Sequence, residues 1–453
     1  MNKKITKIIW FFLLGCLAAW LFFLKTKNCL DSDEGLILGG AWRLFNGEKM
    51  YLDFFEYLPP ASFYFIYGIW KLFGASYLSA SFLAIVNILA VLVATYLIAR
   101  KCQAGRFSIF APILFLIFCA SWPLIGHNVF VLAPLVWSAY LFILFLQKKY
   151  WFYLAISGLL AGLTGLFLQH RFLALIGAGL FCLLFFNWKQ GVKRTFGLMA
   201  TYSLFFCLPL GLLLFWPPGL LYQNLVLQLF SGYSKISSVG PSFFIIAMAL
   251  VFLLFWLLGK KRSNEENYLL ILQIFLLGSS LSRPDFFHVF SVALPILVLF
   301  FVILNKKING ILKEKIVWSL MIFVLVCLAQ IVVTLSFNLK NVDSQRTELF
   351  SLVAKHCSSG EYIYAGPFLP GFYFELKKKS PSAYDYIFPG VQSPEQLQEA
   401  ANGISAKRPS CAIINHKIMV NMPLERDNPV EKYIFSHYEK AVEFKGFEIY
   451  KLK

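Results

Sequence analysis

Acidic residues are scarce in this chain: 23 Asp and Glu stand against 41 Lys and Arg in 453 residues. Charge of either sign makes up only 14% of the sequence, which excludes a disordered or solvated polymer. No CxxC and no Cys/His pair at zinc-ligand spacing occurs among the nine cysteines. Most of those cysteines lie inside apolar runs, where a free thiol acts as a small hydrophobe. Repeats and low-complexity tracts are absent, which excludes solenoid and linker architectures. After MNKKITK and a first apolar segment, no small-x-small cleavage site follows, only LFFLKTKNCLDSDE. That segment reads as a retained span, not a cleaved signal.

What is abundant is apolar. Hydrophobic residues make up 59% and aromatics 18%, with a mean hydropathy of +0.68. Runs of ~18 or more apolar residues recur, each long enough to cross a bilayer core of ~30 Å. The expected spans are about 8–24, 80–99, 107–125, 129–146, 151–168, 172–186, 196–216, 242–258, 268–282, 289–304 and 316–338. The expected fold is therefore an all-α polytopic membrane protein of about 11 transmembrane helices over residues 1–338. The net charge of +18 is no nucleic-acid signature, because the basic residues sit in short loops between spans.

Those basic residues alternate. The N-terminus and the loops after the even-numbered spans carry eighteen Lys and Arg, whereas the loops after spans 3, 5, 7 and 9 carry three. Cytoplasmic loops hold the positive excess, so the N-terminus is expected in the cytoplasm and the segment after span 11 outside. Residues 25–79 then form the first external loop. Within it, 61–73 (ASFYFIYGIWKLF) are apolar but short. If they crossed, every later basic loop would change sides, so they read as an interfacial or re-entrant helix.

Residues 339–453 change character and read as an extracytoplasmic α/β domain. TELFSLVAKHC and PEQLQEAANGI suggest helices, EYIYAG and CAIIN strands, and AVEFKGFEIYKL a hairpin around Lys445-Gly446. Cys357 and Cys411 each lie at or before such a strand; they are either a disulfide of an oxidising compartment or two unpaired thiols.

Six of the 23 acids fall in residues 31–60, DSDEGLILGGAWRLFNGEKMYLDFFEYLPP. Asp31 or Ser32 suits a helix N-cap, and Asp33 and Glu34 suit a first turn, where the helix dipole favours negative charge. The helix would end at Asn46-Gly47 and lay Ile37, Leu38, Ala41, Leu44 and Phe45 on the membrane. Capping does not account for Asp53 and Glu56; Asp53 reads at most as a cap before Pro59. The alternative is a catalytic cluster. The aromatic run Phe54, Phe55, Tyr57, Phe63, Tyr64, Tyr67 and Trp70 reads first as interface anchoring.

Cations outside the membrane are few, so each stands out. His170 and Arg171 sit where spans 5 and 6 meet, either snorkelling or contacting a phosphate. SRPDFFH holds Arg283, Asp285 and His288: an Arg–Asp pair closing a turn, or a phosphate clamp with Asp285 orienting its neighbours. Lys235 follows span 7 and is a further candidate for donor contact. Arg43 either pairs with an acid of its own loop or touches a donor, and His127-Asn128 reads as a capped turn or a polar contact.

DSDEG, a helix ending NGEKMYLDFFEYLPP, and then YFIYGIWKLFG together resemble the first external loop of the polyprenyl-phosphate-sugar-dependent glycosyltransferases of the GT-C fold. That superfamily includes protein O-mannosyltransferases and lipid A aminoarabinose transferases. Many spans, a long first external loop and a soluble C-terminal domain extend the resemblance over the whole chain, and Arg-x-Asp-x-x-His turns are similar to those of bacterial members. The resemblance implies that Asp33 is the general base, with Glu34 as the second acid and Glu56 as the acid at the end of the loop. One departure stands out: the aminoarabinose transferases have Glu-Lys-Pro where this chain has Glu56-Tyr57-Leu58-Pro59. The lysine contact of those enzymes is therefore not expected here.

The implied function is inverting transfer of a sugar from a polyprenyl-phosphate donor to a lipid, glycan or protein acceptor, at the outer face of a bacterial cytoplasmic membrane. Arg171, Arg283 and His288 would hold the phosphate. No cofactor is required; a divalent metal is compatible with the converging acids, but nothing in the sequence demands one. The competing reading, a flippase of lipid-linked saccharides, predicts ionisable groups within the spans and matching halves, and the sequence has neither.

Overall fold

Ser32–Phe45 forms the first described helix (α1), with Asp33 and Glu34 in its first turn. The computed structural model describes residues 32–119, 125–227, 242–259, 262–281, 283–308, 314–320, 348–357, 360–387, 392–419 and 428–453, with 15, 322–323, 326 and 330. The helix gives way at Asn46 and Gly47, and Gly47 takes a left-handed φ of 92°. Ala61–Phe73 (α2) follows and stops at Gly74. Its thirteen residues would rise about 20 Å, short of a bilayer core.

Among the described residues, four helices are long and apolar enough to cross a membrane: Tyr77–Lys101 (α3), His127–Lys148, Gln169–Gln190 and Val192–Phe215. The second of these is α5; Phe110–Cys119, before it, is α4. Gly105–Phe118, Trp151–Phe167 (α6) and Ser242–Leu258 (α9) are apolar but shorter. The helical cores Gln169–Asn187 and Val192–Leu210 are α7 and α8. Asn264–Gly278 (α10), Phe286–Phe290 (α11) and Leu294–Lys307 (α12) complete this part of the described chain. Of the expected first span only residue 15 is described; of the expected eleventh, 316–320, 322–323, 326 and 330 are described, all helical. Helices pack through small residues, as helices do where lipid offers no hydrophobic drive. Ser138 of α5 and Ser157 of α6 each donate to the other's carbonyl, at 2.8 and 2.9 Å, inside the bundle.

The C-terminal residues build a four-stranded sheet in the order β1-β2-β4-β3, from Tyr364–Gly366, Cys411–Ile414, Tyr438–Phe444 and Phe447–Leu452 in chain order. β1 and β2 are parallel, with Tyr364 opposite Ala412; β4 runs antiparallel to β2 and β3. The hairpin turns at Lys445 and Gly446, both at positive φ (50° and 89°), as the right-handed twist of paired strands favours. Gly371–Glu375 (α13), Pro394–Lys407 (α14) and Pro429–His437 (α15) flank the sheet. Cys357 and Cys411 form a disulfide that ties the helical stretch 348–356 to β2.

α1 differs from expectation. Its apolar stripe is not laid open on lipid: Ile37, Leu38 and Ala41 are fully buried. Periodicity reports an apolar face but not what covers it, and here α2 and the C-terminal residues do. A methyl group at Gly35 would meet the Gly371 nitrogen at 2.8 Å, and one at Gly39 the Pro370 carbonyl oxygen at 2.8 Å. Only glycine permits so close an approach. Trp42 donates to the Lys378 carbonyl (2.9 Å), and Trp70 of α2 stacks on Phe374 at 4.7 Å.

Candidate active site

The site begins at the first turn of α1, where Asp33 is half-buried. Burial raises its pKa above the usual carboxylate value, while the nearby charges of Arg283 and His288 pull it back down and Asp285 pushes it up. The structure thus brings together two stretches 250 residues apart in sequence, DSDEG and SRPDFFH.

The second stretch is organised by Asp285. Its carboxylate caps α11, accepting from the His288 backbone N–H at 2.8 Å. The same oxygen lies 2.8 Å from His288 Nδ1, and the other oxygen holds Arg283 Nε at 3.0 Å. One carboxylate therefore fixes both basic side chains of the turn. Burial alone would raise Asp285; the hydrogen bond and charge of His288, with Arg283, hold it below the usual range. His288 is lowered by burial, with Asp285 opposing.

Arg171 lies behind this turn, almost fully buried. Its guanidinium donates to Ser279 Oγ (2.6 Å), Ser280 Oγ (2.8 Å), the Leu276 carbonyl (3.2 Å), the His288 carbonyl (3.0 Å) and Ser291 Oγ (3.3 Å). These bonds stitch the end of α10 to α11, so Arg171 braces the turn. His170, its neighbour in sequence, lines a cleft with Arg283, His288, His127, Asn128, Gln169, Tyr57, Leu58, Ser279 and Ser280.

The other acids of the first loop play unequal parts. Glu34 is buried and accepts from the Tyr77 hydroxyl (2.9 Å) and the Ile125 backbone N–H (3.1 Å), joining α1 to the starts of α3 and α5. Glu56 is also buried: one oxygen takes the N–H groups of Tyr57 (3.0 Å) and Leu58 (3.3 Å) and the Tyr386 hydroxyl (3.0 Å). Burial pushes it up to about 8. Asp53 accepts from the Lys49 N–H (2.7 Å) and so closes the turn 49–53 instead of capping the stretch before Pro59.

Arg43 takes the first of its two expected roles. It pairs with Glu48 (2.6 Å) in its own loop, and also with Asp385 (2.7 Å) and the Ser382 carbonyl (2.9 Å). It is a buried tie to the C-terminal region, away from the cleft. Asp31 and Lys235 lie outside the described residues. Among the described residues, no three His, Cys, Asp or Glu side chains group as metal ligands would.

Beside the polar cleft lies an apolar cavity of about 1000 Å³, lined by Tyr64, Phe65, Phe130, Trp137, Phe167, Phe215 and Trp216 among others. The two share three chain segments: Tyr57-Leu58 passes into Pro60-Ala61, His127-Asn128 into Phe130 and Ala133, and Leu166-Phe167 into Leu168-Gln169. Tyr386, Asp385, Gln169 and the cavity were not foreseen from sequence. His127 and Asn128, expected as a capped turn or a polar contact, both line the cleft.

Residues 58–216 match the family model described as dolichyl-phosphate-mannose-protein mannosyltransferase. No curated protein matches the chain. Among solved structures, it is similar to ArnT from Cupriavidus metallidurans bound to undecaprenyl phosphate, with 12% identity, 97% of each chain covered and a TM-score of 0.68. The apo form of that protein matches at 11% identity over 99% of this chain and 98% of that one, with a TM-score of 0.70. The apo oligosaccharyltransferase of Archaeoglobus fulgidus matches at 12% identity over 97% of this chain and 73% of that one, with a TM-score of 0.51.

Proposed function

We propose that this chain, which has the GT-C fold and is related to glycosyltransferases that use lipid-linked sugars, transfers a sugar from a polyprenyl phosphate to an acceptor hydroxyl at the outer face of a bacterial cytoplasmic membrane. The observation that carries this reading is the polar cleft set against a large apolar cavity on the same three segments. The cavity suits an isoprenoid tail, and the polar groups that border it at the cleft suit contact with the phosphate head. The disulfide between Cys357 and Cys411 supports an oxidising side for the C-terminal region.

Asp33 takes the proton from the acceptor hydroxyl. The freed oxygen attacks the anomeric carbon, a new C–O bond forms on the opposite face, and the bond from that carbon to the phosphate oxygen breaks. A single displacement inverts the centre. The leaving group is a polyprenyl phosphate, already anionic, so it needs cations and not an acid. Arg283 supplies the charge and His288 a hydrogen bond, both held by Asp285 and braced by Arg171. Glu34 fixes the height of α1, and Glu56, protonated at neutral pH, offers a hydrogen bond to acceptor or phosphate. The acceptor is an envelope lipid, glycan or protein.

Mass spectrometry of the envelope of a deletion strain tests this reading. The expected result is an accumulated polyprenyl-phosphate sugar and the loss of that sugar from an envelope glycolipid, glycan or glycoprotein. Unchanged pools of both would overturn it.

A further inference from the structure

Among the described residues, three side chains that line the polar cleft each keep a buried polar atom with no hydrogen-bond partner: His127 Nδ1, Asn128 Oδ1 and Gln169 Oε1. Their other polar atoms are engaged. Gln169 Nε2 donates to the Leu225 carbonyl (3.3 Å), and Asn128 Nδ2 lies 3.0 Å from His127 Nε2. The bond to Leu225 fixes the Gln169 amide, so its oxygen is the atom left over. In the His127-Asn128 pair the amide nitrogen donates to Nε2, which leaves the Nδ1 proton and the amide oxygen. Turning the Asn128 amide over exchanges those two roles and leaves the count the same. Either way this corner of the cleft offers one donor and two acceptors.

The backbone that carries them is held. Asn87 donates to the Val129 carbonyl at 2.8 Å, next to the first turn of α5. Gln169 is the first residue of α7, and Arg171 of the same turn is bonded to Ser279, Ser280 and the His288 carbonyl. His127 and Asn128 are only 8% and 4% exposed, so bulk solvent does not serve their orphaned atoms. A buried polar atom left unpaired is costly, and these three call for a ligand.

That ligand must be small, and it must both give and take hydrogen bonds. The free space in the cleft is about 20 Å³, and one water needs roughly 10–15 Å³ of such space. A water donates two bonds and accepts one, which matches the three atoms one for one. A phosphate oxygen only accepts; it would serve the donor and leave two buried acceptors unpaired. A cation would serve the acceptors and meet the donor head-on.

We infer that one ordered water binds between His127, Asn128 and Gln169, and that it stays in place when a lipid phosphate binds, as the floor on which the head group stops. The second half rests on the reading of the cleft as a contact for the donor phosphate. The water joins the first turn of α5 to the first turn of α7, and through Gln169 to Leu225.

The test is cryo-electron microscopy of the full-length protein in nanodiscs, at a resolution that shows ordered water, with and without undecaprenyl phosphate. Both maps are expected to show one peak within about 3.2 Å of the His127 ring nitrogen and the Asn128 and Gln169 amides. With the lipid, its phosphate should lie on the Arg283 side of that peak. No peak, with the three side chains placed as here, would overturn the water; a phosphate oxygen standing in its place would overturn the floor. If undecaprenyl phosphate does not bind at all, the donor reading fails and the floor with it, while a peak in the lipid-free map still upholds the water. Asn128→Leu and Gln169→Met give a second measurement, since each removes one acceptor at nearly constant size. Residues that share one water are coupled, so the double variant should lower the thermal unfolding midpoint no further than the worse single variant. A drop equal to the sum of the two would contradict the bridge.

Discussion

The Tyr386 hydroxyl donates to the Glu56 carboxyl at 3.0 Å, across 330 positions of sequence. A residue of the C-terminal region thereby touches the acid that closes the first loop. Burial pushes Glu56 up to about 8, so at neutral pH it carries its proton. The bonds from Tyr386, Tyr57 and Leu58 favour its ionised form and pull the other way. Tyr386→Phe deletes one of them and raises Glu56 further. The alkaline limb of the pH dependence of transfer should therefore move to higher pH in this variant. A limb left in place would show that the proton on Glu56 has no part in the reaction.

Asp33 responds to its neighbours in the same way. It must be ionised to act as a base, so activity falls as pH drops through its raised pKa. Arg283 is the strongest charge pulling that value down. Arg283→Ala should shift the acid limb of kcat/KM to higher pH and reduce transfer roughly 10²-fold, through the lost contact with the leaving phosphate. An acid limb that does not move would separate Arg283 from the base.

Asp285→Asn addresses positioning instead of contact. Asparagine keeps the size of the side chain but loses the charge that holds Arg283 and His288 together. The expected loss of transfer is roughly 10-fold or more with little change in thermal stability, because the cap on α11 survives in Asn. Rescue by Asp285→Glu to above the Asn level would support orientation by charge; equal activities in the two variants would contradict it.

Arg43 and Asp385 form a latch. Both are buried, and Arg43 also carries Glu48 and the Ser382 carbonyl. Arg43→Ala strands buried acid and should cost about 3–5 kcal/mol in unfolding, whereas replacing both Arg43 and Asp385 by apolar residues should recover part of that. Thermal unfolding and limited proteolysis of the C-terminal region would measure it. If Arg43→Ala is neutral, the ion pair is not what seats the C-terminal region on α1.

Much of this was legible in the sequence, and unevenly. Asp33, Arg283, Asp285 and His288 were each visible because acids are scarce in the chain and cations are rare in the short loops expected on the outer side, so a single one carries information. The helix ending at Gly47, the hairpin at Lys445-Gly446 and the helix of residues 394–407 followed from local turn and capping chemistry. The contacts of Tyr386 with Glu56 and of Asp385 with Arg43 were not legible, because local periodicity holds no record of pairings 330 or 342 positions apart. Arg171 was read as a phosphate contact because an arginine at membrane depth needs partners; that five oxygens of α10 and α11 supply them is a tertiary fact. Gln169 gave no signal at all, since an uncharged amide beside a histidine and an arginine does not stand out.

The most direct test of the central claim is Asp33→Asn expressed in a deletion strain, with the polyprenyl-phosphate-sugar pool measured by mass spectrometry. Asparagine is nearly isosteric and cannot take a proton from an acceptor at neutral pH. The account predicts protein present in the membrane at parental level and donor accumulated as in the deletion strain. A donor pool restored to the parental level by Asp33→Asn would contradict it.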